Sequence, residues 1–188
     1  MMNFLWYDYE TYGLDPAQDR IAQFASVRTD ENLNQIDEEC SIFSDIPDDY
    51  LPSPDACIVH GFTPDQTANY SLKENVFANK VFDILNQQET CVVGFNNNSF
   101  DDEFTRFLFY RNLLDPYSWH YRNGNSRWDI VNLARTTSAI YPSAINVKTE
   151  DDGFSFKLQD LAREIILIQE MPIMLSVMYT RPLLLQDS

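Results

Sequence analysis

Basic residues are scarce in this chain: 13 Lys and Arg stand against 29 Asp and Glu, a net charge of −16 at neutral pH. A surface of that sign disfavours tight, non-specific binding of nucleic acid by the chain as a whole, because phosphate binding draws on Lys and Arg. A nucleic-acid enzyme could still have this balance if its acids carry metal ions and a local basic strip holds the strand; it would then be expected to bind weakly or to borrow basic surface from another domain. Cysteine is sparse as well. Cys40, Cys57 and Cys91 are odd in number and widely spaced, which fits free thiols in a reducing cytoplasm rather than a disulfide framework. No Cys/His spacing suggests zinc. Apolar runs are too short for a confident membrane span, and the basic and apolar regions of a signal peptide are missing from the N-terminus. Histidine occurs only at positions 60 and 120.

Aromatic residues, by contrast, are plentiful, with 13 Phe, 10 Tyr and 3 Trp in 188 residues. That content points to one globular domain with a substantial core. The chain is organised around Phe4-Leu5-Trp6-Tyr7-Asp8-Tyr9-Glu10-Thr11. A strand alternates its side chains between two faces, so Asp8 and Glu10 would point the same way. Two adjacent carboxylates repel unless a cation lies between them, and a hard divalent ion such as Mg²⁺ or Mn²⁺ prefers oxygen ligands. The alternative is a solvated acid pair at a strand end.

Residues 3–9, 20–28 and 40–44 read as strands, the second and third antiparallel because their connections are short. A Pro- and Asp-rich loop follows at 45–55. His60 reads as a structural loop residue. Thr63-Pro64-Asp65-Gln66 has the signature of a helix start, and an apolar stripe runs from about 71 to 85. Residues 90–95 form a fourth, buried strand, followed by a helix through 100–108. Asp101 lies in that helix's first turn, where a carboxylate is favoured electrostatically; it serves as a cap or as a metal ligand. Residues 111–125 are aromatic and irregular, 128–141 read as a further helix, and another starts near Phe156. After Glu164 the composition changes: acids almost vanish, and Pro172 and Pro182 interrupt any helix.

Asp8-Tyr9-Glu10-Thr11, with Asn96 and Phe100-Asp101-Asp102-Glu103, resembles the first two motifs of the DEDD family of 3′→5′ exonucleases. Further stretches resemble its exodeoxyribonuclease I branch: Tyr12-Gly13 after the first motif, Phe109-Tyr110-Arg111-Asn112, Asp115-Pro116-Tyr117, Asn125-Ser126-Arg127-Trp128-Asp129, and Asp151-Asp152-Gly153 before Phe156-Lys157-Leu158. The resemblance implies an α/β, ribonuclease H-like mixed sheet with flanking helices over residues 1–164. It also implies hydrolysis of single-stranded DNA to mononucleotides in DNA repair, by two Mg²⁺ ions for which Mn²⁺ can substitute. Asp8, Glu10 and Asp101 would be the catalytic and metal-holding acids, with Glu10 also against the terminal nucleotide. Arg106, Tyr117, Trp119, Tyr121, Arg135 and Lys157 would line the single-strand groove, where aromatic rings stack on any base. Ordinary packing is the alternative for those aromatics. Single-stranded DNA and a single-strand DNA-binding protein are the implied partners, in the cytoplasm and without a membrane.

One departure stands out. The family's third motif, H-x-A-x-x-D, supplies a general base and a fourth acid. Here neither His falls in that region, and Asp187 is the only Asp after Asp160. Residues 165–188 can be read as that motif's helix translated in a shifted frame, in which His and Asp emerge five residues apart. As written, the chain is expected to be an impaired exonuclease; the alternative is an inactive, truncated domain that binds nucleic acid or a protein partner.

Overall fold

The computed structural model describes residues 2–145, 147–150, 153–158 and 160–161. The expected tail at 165–188, and the Asp151-Asp152 pair, lie outside the described residues. Among those described, a five-stranded sheet has the order β3-β2-β1-β4-β5. Its strands are β1 Asn3–Thr11, β2 Ile21–Thr29, β3 Cys40–Phe43, β4 Thr90–Gly94 and β5 Ser126–Asp129. β1, β2 and β3 run antiparallel as a meander, whereas β4 and β5 join parallel to β1 and to each other. The helices are α1 Pro54–His60, α2 Pro64–Thr67, α3 Glu74–Leu85, α4 Asp101–Arg111 and α5 Ile130–Ile140. A short antiparallel strand pair, β6 Thr149–Glu150 and β7 Gly153–Phe154, follows α5. The expected mixed sheet with flanking helices is borne out. No helix among the described residues is long and apolar enough to cross a membrane.

β1 keeps the alternation its sequence carries. Leu5, Tyr7 and Tyr9 are buried, while Trp6, Asp8 and Glu10 on the other face are half-buried. The buried face packs with Phe24 of β2 against Phe77, Val81 and Leu85 of α3 and Phe104, Leu108 and Phe109 of α4. Each such side chain contributes about 1.5–3 kcal/mol through the apolar surface it removes from water. A smaller cluster of Tyr12, Ala22, Phe43 and Phe62 lies beside α1 and α2. β2 is therefore buried along its whole length. Arg28 is buried within it, donating to Thr90 Oγ1 at 2.8 Å and to Ile84 O at 3.1 Å. These bonds tie β2 to the end of α3 and the start of β4.

Three expectations change. Residues 54–60 form a helix rather than loop: Pro54 takes the first turn, and Gly61 ends it in the left-handed region at φ 85°. His60 is accordingly the last helical residue. Seven residues are too few to show a helical period in sequence, although Pro at the start and Gly past the end are the usual punctuation. The capping box at Thr63 forms, with Thr63 N donating to Gln66 Oε1 at 2.8 Å, but it starts only the four-residue α2. Finally, Trp128 and Asp129 belong to an edge strand and not to the helix that follows. A strand this short, with polar flanks, carries no alternation signal.

Candidate active site

The pairing of β1 with β4 ends at Trp6↔Val93. β1 runs on for five residues with only β2 at its side, so the sheet opens at Asp8 to Thr11. α4 begins at this opening. Asp101, in its first turn and 4% exposed, accepts a hydrogen bond from Tyr9 N at 3.2 Å. The strand N–H left without a β4 partner is thus satisfied by a carboxylate. Asp8 and Glu10, pointing away from the α3–α4 core, flank that contact on the strand. Folding therefore gathers the three sequence-predicted acids at one end of the sheet.

Their electrostatics are mutually unfavourable. Burial, reinforced by repulsion from Glu10, pushes the Asp8 carboxyl up to about 7. Burial, then repulsion from Asp8, holds Asp101 well above the usual carboxylate range. Burial also raises Glu10. Among the described residues, no ion pair with a Lys, Arg or His compensates any of the three. Nor does any set of three His, Cys, Asp or Glu side chains among these residues converge tightly enough to hold a metal ion alone. The donors are nonetheless hard oxygens that lack a counter-charge, which is the chemistry a divalent cation requires.

Asp102 behaves differently from its neighbour. Its Oδ1 accepts from Tyr7 Oη at 2.6 Å and from Asn97 Nδ2 at 3.2 Å, and its Oδ2 pairs with Arg127 Nη1. Asp129 is a second satisfied acid. It caps α5 through Val131 N at 3.0 Å and accepts from Asn96 N at 2.9 Å and Asn98 N at 3.3 Å. The loop after β4 is thereby fastened to the end of β5. Sequence reasoning gave neither acid a role. The capping pattern at Asp129 was available as a signal; nothing in the spacing marked Asp102.

The expected groove residues divide. Tyr117 and Tyr121 are 50% and 56% exposed and flank His120, at centroid distances of 6.4 and 5.6 Å. Arg106 pairs with Glu103, lies 4.3 Å from the Phe107 ring centre and also interacts with Tyr117. Arg135 of α5 sits 5.8 Å from the ring centre of Phe156, next in sequence to the exposed Lys157. Trp119 is the correction. It is 1% exposed in the main core, with its indole N–H on Pro116 O at 3.2 Å. Buried there, its ring packs and offers no face to a base. Of the two histidines, His60 stacks on Phe62 at 4.0 Å and packs beside Tyr12, while His120 sits among Tyr117, Trp119 and Tyr121.

Residues 5–165 match the family model described as Exonuclease, RNase T. The chain belongs to the exonuclease family. This is a family of nucleases, phosphodiester hydrolases, and membership implies dependence on a divalent metal. The chain is 51% identical over 162 residues to exodeoxyribonuclease I of Buchnera aphidicola subsp. Acyrthosiphon pisum, covering 86% of this chain and 39% of that protein. A crystal structure of E. coli exonuclease I in complex with a dT13 oligonucleotide matches with a TM-score of 0.83 at 42% identity, over 87% of this chain and 36% of that one. An ExoI/SSB-Ct complex matches with the same figures. The chain thus spans less than two fifths of the length of these exonucleases. The family resemblance and the ribonuclease H-like fold read from the sequence are both borne out.

Proposed function

We propose that this chain is the nuclease domain of a 3′→5′ exonuclease that removes mononucleotides from single-stranded DNA by a two-metal mechanism. The observation that carries the reading is the set of acids Asp8, Glu10 and Asp101, brought together where the β1–β4 pairing ends with, among the described residues, no basic side chain paired to them. Asp8, Glu10 and Asp101 would hold two Mg²⁺ ions, or Mn²⁺ in their place. Bound there, the ions supply water activation and stabilisation of the leaving 3′ oxygen. Asp8, whose carboxyl is pushed up to about 7 by burial and by repulsion from Glu10, would hold an ion in its ionised form. Glu10, on the same face, meets the terminal nucleotide. Tyr117 and Tyr121 present rings for base stacking, and Arg106, Arg135 and Lys157 contact phosphates. The oligonucleotide in the E. coli exonuclease I crystal supports single-stranded DNA as substrate. The ExoI/SSB-Ct complex supports a single-strand DNA-binding protein as partner. Free Cys40, Cys57 and Cys91 suit the cytoplasm.

The chain's sequence has no H-x-A-x-x-D motif. Loss of a general base typically costs about 10²–10⁴ in rate, which favours a second reading: a domain that binds single strands or a partner protein while hydrolysing slowly or not at all. The family match ends at residue 165. This supports a boundary near Glu164 between a domain at 1–164 and a tail at 165–188 read in a shifted frame, and the codons of the gene test that part. Function is tested with a 3′-ended single-stranded oligonucleotide and Mg²⁺. Metal-dependent mononucleotide release that vanishes in Asp8→Ala supports the exonuclease. Activity no greater than that of Asp8→Ala, with retained binding, supports the second reading.

A further inference from the structure

Four elements meet at the Asp102 carboxylate. Tyr7 comes from β1, one residue before Asp8; Asn97 comes from the turn after β4; Arg127 comes from β5; Asp102 itself follows Asp101 in α4. Asp102 and Tyr7 are nearly inaccessible to water. Asn97 is held as tightly. It is fully buried and lies against Gly94, where a Cβ would come within 2.7 Å of its own Cβ. The carboxylate therefore has little freedom to move.

Consecutive helical residues point about 100° apart around the axis. Fixing Asp102 against Tyr7 and Arg127 thus sets the rotation of the first turn of α4. In that setting Asp101 faces Tyr9 N. Tyr7 and Tyr9 share one face of β1, with Asp8 between them on the other. The same strand consequently receives both contacts, two residues apart, from two consecutive acids.

We infer that Asp102 is a positioning residue of this nuclease site: its bonds to Tyr7, Asn97 and Arg127 place the Asp101 carboxylate against β1 beside Asp8. The inference rests on the proposed metal site for its functional consequence, but the placement itself can be read without metal.

The experiment is performed on the full chain. The Tyr9 amide is followed by NMR in the wild type, Asp101→Ala, Asp102→Ala, Asp102→Asn and Val81→Ala, and Mn²⁺ affinity is measured on the same samples and on Asp8→Ala. Val81 is a core residue of α3 with no hydrogen bond to the site, so its variant reports general destabilisation. The expected result is that Asp102→Ala moves the Tyr9 amide resonance to its position in Asp101→Ala and weakens Mn²⁺ binding about tenfold, the usual scale for losing a group that orients a ligand. Asp102→Asn, which still accepts from Tyr7 and Asn97, should fall between. A Tyr9 amide as unmoved in Asp102→Ala as in Val81→Ala would overturn the inference. If Asp102→Ala does not fold, Asp102→Asn and Arg127→Gln are read at the same amide with the same two outcomes. Mn²⁺ affinity unchanged by Asp8→Ala would instead defeat the proposed metal site, while the amide would still decide the role of Asp102.

Discussion

The backbone N–H of Tyr9 donates to Asp101 Oδ1 at 3.2 Å, joining residues 92 positions apart in the chain. The bond forms because β4 stops pairing with β1 at Trp6 and leaves the next part of that strand edge open. It puts a third carboxylate beside two that the strand already carries. Among the described residues no Lys, Arg or His side chain pairs with these acids, and the first two predictions follow from that crowding.

Replacing one of these acids should abolish metal-supported hydrolysis. Asp8→Ala and Asp101→Ala are each expected to lower the rate of nucleotide release from a 3′-ended single strand by at least about a hundredfold. EDTA should have the same effect on the wild type. Rates measured across a Mg²⁺ titration distinguish lost affinity from lost turnover.

Without metal, stability should fall as pH rises. Asp8 ionises near pH 4 when unfolded but at about 7 when folded, so the folded chain holds the proton longer. Below about pH 4 both states are protonated and the group has no effect. Between about pH 4 and 7 the unfolded chain ionises first and stability declines; above 7 the loss is complete. Asp101 and Glu10 shift in the same direction. In EDTA at pH 8, Asp8→Asn should therefore be more stable than the wild type by about 1–2 kcal/mol, allowing for partial solvent screening. Urea denaturation at pH 5 and pH 8 checks both the size and the sign.

The aromatic residues at 117–121 should separate by role. Tyr117→Ala and Tyr121→Ala are each expected to weaken binding of a single-stranded oligonucleotide by about 1–3 kcal/mol, the range for a base–aromatic stack, with little change in stability. Trp119→Ala should cost about 3–5 kcal/mol of stability, as for a large core residue. Fluorescence anisotropy with a labelled oligonucleotide and thermal melts on the same samples distinguish the two classes.

Asp129 should be a stability residue. Asp129→Ala leaves the N–H groups of Val131, Asn96 and Asn98 without their acceptor. Loss of a helix cap together with orphaned donors costs about 3 kcal/mol. Chemical denaturation measures the loss, and faster amide exchange at Asn96 and Asn98 would locate it.

What could be read in advance depended on how local the physics was. The alternation of β1 was legible because a strand has period two, and it correctly placed Asp8 and Glu10 on one face. The α3 stripe was legible for the same kind of reason. Asp101 could be singled out from Asp102 only by resemblance, since two adjacent acids at a helix start look alike in sequence. Trp119 stood between groove and core in the sequence, and fell to the core, because an aromatic residue among aromatics carries no mark of which way its turn faces. β5 was missed because its strand character comes from pairing with β4 and not from its own residues.

The sequence by itself determined the strand that carries two acids, the helical stripes that cover it and the shortage of basic residues in the chain as a whole. Each of these depends on spacing along the chain or on composition. The tertiary structure decided which acids are satisfied and which are left crowded. Asp102 and Asp129 find donors on β1, on β5 and in the loop after β4, whereas Asp8, Glu10 and Asp101 find one another. That division depends on where β4 leaves β1 and how the first turn of α4 is rotated. Both are set by contacts between residues distant in sequence, which no local period encodes.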